Sequence, residues 1–185
     1  MKSFGILRGI NDDEIALMLE WRNSPNVTSN MFTRNEISMT THLSWWNKVK
    51  ASKNHKYFMY ELDGIPAGIV GMVNIDHTNQ NSSWIMYASP DAPKGTGSKM
   101  EFLFLDYVFK EYGLHKLYGE VLAFNTSVIN LHKKFGFAIE GILFEHHAIN
   151  DGFTDIHLVG ITKNRWNENR DRMKKLILSF EGQKS

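Results

Sequence analysis

Two short segments set narrow limits on how this chain can fold. The first is a turn, Pro93-Lys94-Gly95-Thr96-Gly97-Ser98, that runs straight into an apolar helical pattern. The second, Asn125-Thr126-Ser127-Val128-Ile129-Asn130-Leu131-His132-Lys133-Lys134-Phe135-Gly136-Phe137, follows a strand-like run over 116–124. A strand, a glycine turn, a helix, a strand and a second helix in that order require a crossover within a sheet. Bare glycines let backbone approach a ligand closely, and a helix start beyond them directs free N–H groups at an anion. The pair therefore predicts a site for a phosphate-bearing cofactor, with its reactive end near the second helix.

The rest of the chain completes a mixed α and β pattern. Strands are expected over 4–7, 57–62, 65–75, 83–88, 116–124, 137–149 and 154–161, with hairpin signals at Asp63-Gly64 and Asn150-Asp151-Gly152. Helices are expected from 15 through Trp21, from about Ser38 with Met39, His42, Leu43, Trp46 and Val49, over 98–112, over 127–135, and over 165–180. Ser24-Pro25-Asn26 breaks the first helix and Gly113 stops the third. Hairpins around one crossover imply an α/β (α+β) fold, with a mostly antiparallel central sheet and helices on both faces. The tail helix carries Trp166, Met173, Leu176, Ile177 and Phe180 on one side. That stripe packs either on the body or on a second copy of the chain, as in a homodimer.

Composition removes several functional classes. The 185 residues suit one domain with a full core. A net charge of +1 gives no bulk support for nucleic-acid binding. Cysteine is absent, which excludes disulfides, thiolate metal sites and a cysteine nucleophile. His146 and His147 are adjacent on a strand and face opposite ways, and no His-Glu-x-x-His helix occurs, so no metal is expected. The start of the chain lacks a signal-peptide core, and no apolar run reaches the roughly 20 residues of a membrane span. A cytoplasmic location is the resulting expectation.

The two motifs together resemble the GCN5-related N-acetyltransferase (GNAT) superfamily. Its glycine turn holds the pyrophosphate of acetyl-coenzyme A (acetyl-CoA), and Ala92-Pro93-Lys94-Gly95-Thr96-Gly97 matches its glycines. Its later pattern matches at Asn125, Ser127, Leu131, Lys134, Gly136 and Phe137, with His132 where many members have Tyr. The resemblance implies an acetyltransferase domain over 1–165 and a helical tail, 166–185, of the same domain. It also implies acetyl-CoA as co-substrate, contacted by Ala88, Ser89, Lys94, Gly95, Thr96, Gly97, Ser98, Lys99, Asn125, Ser127, His132 and Lys134. In the family a backbone N–H, at a bulge of the strand before the glycine turn, polarises the thioester. Tyr87, Ala88 or Ser89 would supply it here.

A narrower resemblance, to the N-acetyltransferases of pseudaminic acid biosynthesis, implies the acceptor. It rests on Leu19-Glu20-Trp21-Arg22-Asn23-Ser24-Pro25, Met31-Phe32, His42-Leu43-Ser44-Trp45 and Glu120-Val121-Leu122-Ala123-Phe124-Asn125. The implied substrate is a UDP-linked 4-amino-4,6-dideoxy-N-acetyl-altrosamine, whose product modifies flagellin or surface glycans. The alternatives are a protein N-terminal or ribosomal-protein acetyltransferase and a non-catalytic acyl-CoA sensor.

Acetyl transfer without cysteine, and without a Gly-x-Ser-x-Gly elbow, favours direct attack in a ternary complex. Its needs are positioning and donors aimed at the developing oxyanion. His132 reads as general acid toward the departing thiolate, or as packing beside the pantetheine. Glu120, mid-strand, reads as base or as half of a salt bridge. Asn125 reads as a pantetheine contact or a helix cap. Arg22, Asn23, Phe32, His42, Trp45, Asn74 and Tyr87 are the expected acceptor residues, with Arg suited to phosphates and the rings to base or sugar.

Overall fold

The computed structural model describes residues 4–150 and 152–182. Asp151 of the expected last turn, and the side chains of Phe180 and Glu181, lie outside the described residues. The strands are β1 (Ile6–Arg8), β2 (Lys56–Leu62), β3 (Ile65–Asp76), β4 (Asn81–Ala88), β5 (Lys116–Leu122), β6 (Ala138–Ile149) and β7 (Gly152–Thr162). They form one sheet in the order β1-β2-β3-β4-β5-β7-β6, antiparallel except for the β4–β5 pair.

Alternation along the strands splits the core in two. On one face Met59 and Ile69 meet Met18 and Trp21 of α1 (Ile15–Asn23) and Val27 of α2 (Pro25–Thr28). Beside them Ile15 packs with Trp46 and Val49 of α3 (Met39–Ala51). On the other face Phe58, Val70 and Met72 meet Met100 and Phe104 of α4 (Thr96–Asp106), Ile129 and Phe135 of α5 (Thr126–Phe135), and Trp166 of α6 (Lys163–Gly182). Helices thus cover both faces, as the sequence pattern implies.

The tail stripe is consumed within the chain. Trp166 is fully buried, and its Nε1 donates to Asp106 Oδ1 at 2.9 Å. Arg170 closes a fork on the same carboxylate at 2.7 and 2.8 Å. Met173 and Ile177 are also buried, so this stripe gives no reason for a homodimer.

Two details depart from expectation. The helix expected over 98–112 starts at Thr96, and its end widens into a π-helical turn over Tyr107–Tyr112. There the amides of Gly113 and Leu114 both donate to Val108 O, and Gly113 takes the left-handed φ of 88° that ends the helix. The β3–β4 ladder keeps regular register from Gly68–Met72 opposite Ala88–Trp84; its irregularity lies instead at Val73–Asp76. No bulge therefore interrupts β4 ahead of the glycine turn.

Candidate active site

β4 and β5 are hydrogen-bonded neighbours only at Asn81–Lys116 and Ser82–Leu117. Beyond that point they part. Trp84 stands at the base of the gap over Gly119, where an added Cβ would lie 2.5 Å from the Trp84 ring. Above it opens a cavity of about 580 Å³, lined among others by Tyr87, Ala88, Ser89, Glu120, Asn125 and His132. The topology has brought residues from β4, β5 and α5 to one place.

Main-chain bonding decides which amide faces the gap. Ser89 N–H donates to Ala67 O at 2.9 Å on the β3 side. Ladder amides alternate, so Tyr87 N–H also points toward β3 and Ala88 N–H points toward β5. Of the three amides, only that of Ala88 faces the gap. Burial lifts the Tyr87 hydroxyl well above its ordinary range, with Tyr57 adding to the effect and Arg22 opposing it.

The glycine turn sits next to this gap without lining the cavity itself. Gly95 has a φ of 96°, which explains that glycine by backbone geometry alone. Gly97 has no such reason: a Cβ there would meet only Leu131, at an ordinary 3.8 Å. The bare backbone at Gly97 is what close approach by a ligand needs. Among the described residues, the amides of Lys94, Gly95 and Gly97 donate to no protein acceptor, whereas those of Ser98 and Lys99 both close on Gly95 O at 3.1 and 3.2 Å. The amides left free for a ligand are thus those just before Ser98 and Lys99, not those two. Thr96 is buried with its hydroxyl on Pro93 O, so its side chain braces the turn, while Lys94 is exposed on it. Free amides, an unobstructed Gly97 and an open gap between two strands fit the diphosphate and the amide-bearing arm of coenzyme A.

The α5 residues differ from one another. Asn125 occupies the N-cap position but makes no capping bond; its Oδ1 accepts from Ser127 Oγ at 3.2 Å. His132 is 2 % exposed, set edge-on to Trp84 with ring centroids 5.1 Å apart. Its Nδ1 lies 3.2 Å from Glu101 Oε1 of α4, another buried group. Sequence reading passed over Glu101; a carboxylate inside the apolar run Met100–Leu105 was its only signal. Lys134 is exposed, and its carbonyl accepts from Arg172 Nη2 at 2.6 Å. Glu120 is exposed on the cavity wall and forms no ion pair among the described residues, so the salt-bridge reading has no partner.

The acceptor residues are more dispersed. Arg22 Nη2 donates to Thr33 O at 2.9 Å, while Nη1 is buried without a partner. Burial lowers its pKa, against the opposite pull of Tyr87. His42 is 4 % exposed, stacked on Trp45 at 5.1 Å, and its Nε2 is buried and unpartnered. Burial first, then Arg22, lowers the pKa of His42. Trp45 stands edge-on to Tyr57, a wall residue, so it backs the cavity without lining it. Phe32 lines the cavity and meets His147 edge-on at 5.2 Å.

Two expected acceptor residues are placed elsewhere. Asn23 spends both ends of its amide on Ile37, donating to its carbonyl at 2.9 Å and accepting from its N–H at 3.0 Å; it anchors the loop before α3. Asn74 is exposed at the β3 irregularity with a φ of 54° and does not line the cavity.

Comparison with known proteins decides the family. Residues 7–158 match the family described as acetyltransferase (GNAT) domain. The chain belongs to the GNAT family. It is 27 % identical to the spermidine N(1)-acetyltransferase of Escherichia coli K12 over 145 residues, 78 % of each protein. It is 28 % identical to the acetyltransferase PseH of Campylobacter jejuni over 130 residues, 70 % of this chain and 80 % of that one. The crystal structure of spermidine N-acetyltransferase from Vibrio cholerae, in complex with CoA and spermine, superposes with a TM-score of 0.82 at 23 % identity, covering 87 % of this chain and 96 % of that one. This GNAT protein is accordingly an acetyl-CoA-dependent N-acetyltransferase with a small-molecule acceptor.

Proposed function

We infer that this GNAT enzyme acetylates the amine of an acceptor that also carries anionic groups, specifically the 4-amino group of a UDP-linked 4-amino-4,6-dideoxy-N-acetyl-altrosamine. One observation carries the reading. Behind the cavity lining, on the α1–α3 side, lie a buried guanidinium nitrogen of Arg22 and a buried His42 nitrogen, neither with a protein partner. Unmet buried donors are costly unless a ligand fills them, and an Arg fork suits phosphate oxygens. A polyamine acceptor calls for the opposite lining. Glu120 is the one carboxylate on the cavity wall among the described residues, too few to match several ammonium groups. The resemblance to PseH supports the same choice.

In this reading the acceptor amine attacks the thioester carbonyl directly. Ala88 N–H receives the developing oxyanion. Glu120 takes the amine proton, alone or through water, and His132 returns a proton to the departing sulfur. Lys94, Gly95 and Gly97 hold the diphosphate by their amides, and Asn125 and Ser127 flank the pantetheine arm. Phe32 covers the sugar or the base. The chain works as a single domain whose helical tail is part of its core, in the cytoplasm, where nucleotide sugars and acetyl-CoA are at hand.

The test is thiol release from acetyl-CoA against UDP-4-amino sugars, spermidine and N-terminal peptides. Turnover of the nucleotide sugars is the expected result. Acetylation of spermidine or peptides alone would overturn the assignment, and no acetylation of any amine would leave a mere acyl-CoA binder.

A further inference from the structure

Glu101 is a carboxylate that the chemistry above leaves unused. It projects from α4 into the apolar core and is 1 % exposed. Its Oε1 lies 3.2 Å from His132 Nδ1, while its Oε2 is buried with no hydrogen-bond partner. A carboxyl group in such a place weakens packing that leucine would serve better. Its retention there calls for a reason other than stability.

The surroundings of His132 supply one. Trp84 and Phe137 lie against its ring, with centroids 5.1 and 4.8 Å away, and Glu101 occupies Nδ1. The ring also borders the cavity. A histidine with one nitrogen committed to a carboxylate exchanges protons through the other. We propose that Glu101 is a positioning residue that, with His132, forms a buried relay holding one proton between Oε1 and Nδ1, so that His132 Nε2 is the atom that protonates the leaving sulfur.

The balance is simple. The C–S bond breaks and its electron pair stays on sulfur. Sulfur takes the Nε2 proton and leaves as thiol. The shared proton settles on Nδ1, leaving a neutral ring hydrogen-bonded to the Glu101 carboxylate. The amine gives up one proton to Glu120 or water, and solvent restores one to Nε2. This inference rests on the function proposed above, with His132 as its acid, and any acceptor the enzyme acetylates serves for the assay.

Steady-state kinetics on Glu101→Gln, His132→Phe and the double variant test it. Glu101→Gln is expected to lower kcat by about tenfold or more, with KM for acetyl-CoA unchanged within about twofold. In the His132→Phe background the same change is expected to cost less than about twofold, because the relay is already gone. Glu101→Leu suits the apolar site and gives the same readout should the Gln variant misfold. His132→Tyr, with a hydroxyl that needs no second group, is expected to recover activity in the Glu101→Leu background. Wild-type kcat in the Glu101 variants, a loss confined to KM, or an equal loss with and without His132 would each overturn the relay while leaving the proposed function standing. Full activity of His132→Phe would remove the acid itself, and the relay with it.

Discussion

The two sides of the cavity are built on different principles. From the glycine turn to α5 the protein offers main chain: free amides at Lys94, Gly95 and Gly97, Ala88 N–H, and a gap between two strands. Behind it lies a sealed core around Trp166 and Phe135. The region from α1 to α3 offers side chains instead: buried nitrogens of Arg22 and His42 have no protein partner, and both residues stand behind the cavity lining. The first region presents unpaired backbone donors, the second buried polar side-chain atoms left unpaired. On the function proposed above, selectivity for the acceptor is expected to reside in α1, α3 and the loop between them.

The largest effect that would sharpen this contrast is in the sealed half. Trp166→Ala is expected to destabilise the protein by about 3–5 kcal/mol, read as a large drop in Tm by calorimetry, because it empties the site where α6 packs on α4 and removes one of the donors to Asp106. An unaffected Tm would show that the tail is an appendage.

Next comes Gly97→Glu. The protein has room for a side chain there, so Tm is expected to hold. Acetyl-CoA binding by calorimetry is expected to weaken about 100-fold, or about 2.7 kcal/mol. Equal losses of stability and binding would mean that Gly97 serves the fold and not the ligand.

Arg22→Met is a smaller change confined to the other half. KM for the acceptor is expected to rise about tenfold or more, with acetyl-CoA binding unchanged. A change in cofactor affinity would break the division of labour between the two sides.

The smallest expected effect is one of pH. The folded pKa of His42 lies below its ordinary 6.5, so the unfolded chain binds the proton more readily. His42 thus favours the folded state fully above about pH 6.5 and progressively less as pH falls below that value toward its folded pKa. Melting curves at about pH 5.5 and about pH 7.5 are expected to show a loss on the acid side that is smaller in His42→Gln. An equal acid loss in the variant would place the titration elsewhere.

Much of the fold was legible in the sequence, because its signals are local. The glycine turn, the α5 pattern and the hairpin at Asp63-Gly64 declare themselves within a few residues, and hairpins around one crossover imply the mostly antiparallel sheet that the structure has. What escaped was long-range or geometric. Glu101 acquires meaning only through His132, 31 positions away. Asn23 reads as a polar residue near an acceptor, yet its partner is Ile37, across a loop with no periodicity to trace. Asn74 follows the strand alternation in sequence and falls out of it in space, because β3 is irregular there. The choice among Tyr87, Ala88 and Ser89 needed the ladder register, which alternation of side chains alone does not give.

The parting of β4 and β5 has a consequence for how such a protein can change over time. Two facing strands with an unzipped seam offer backbone N–H and C=O groups, and no amino-acid replacement removes these except one to proline, which takes away the N–H alone. Recognition written there is insulated from drift. The residues above it are free to be rewritten for a new acceptor while the donor keeps its seat.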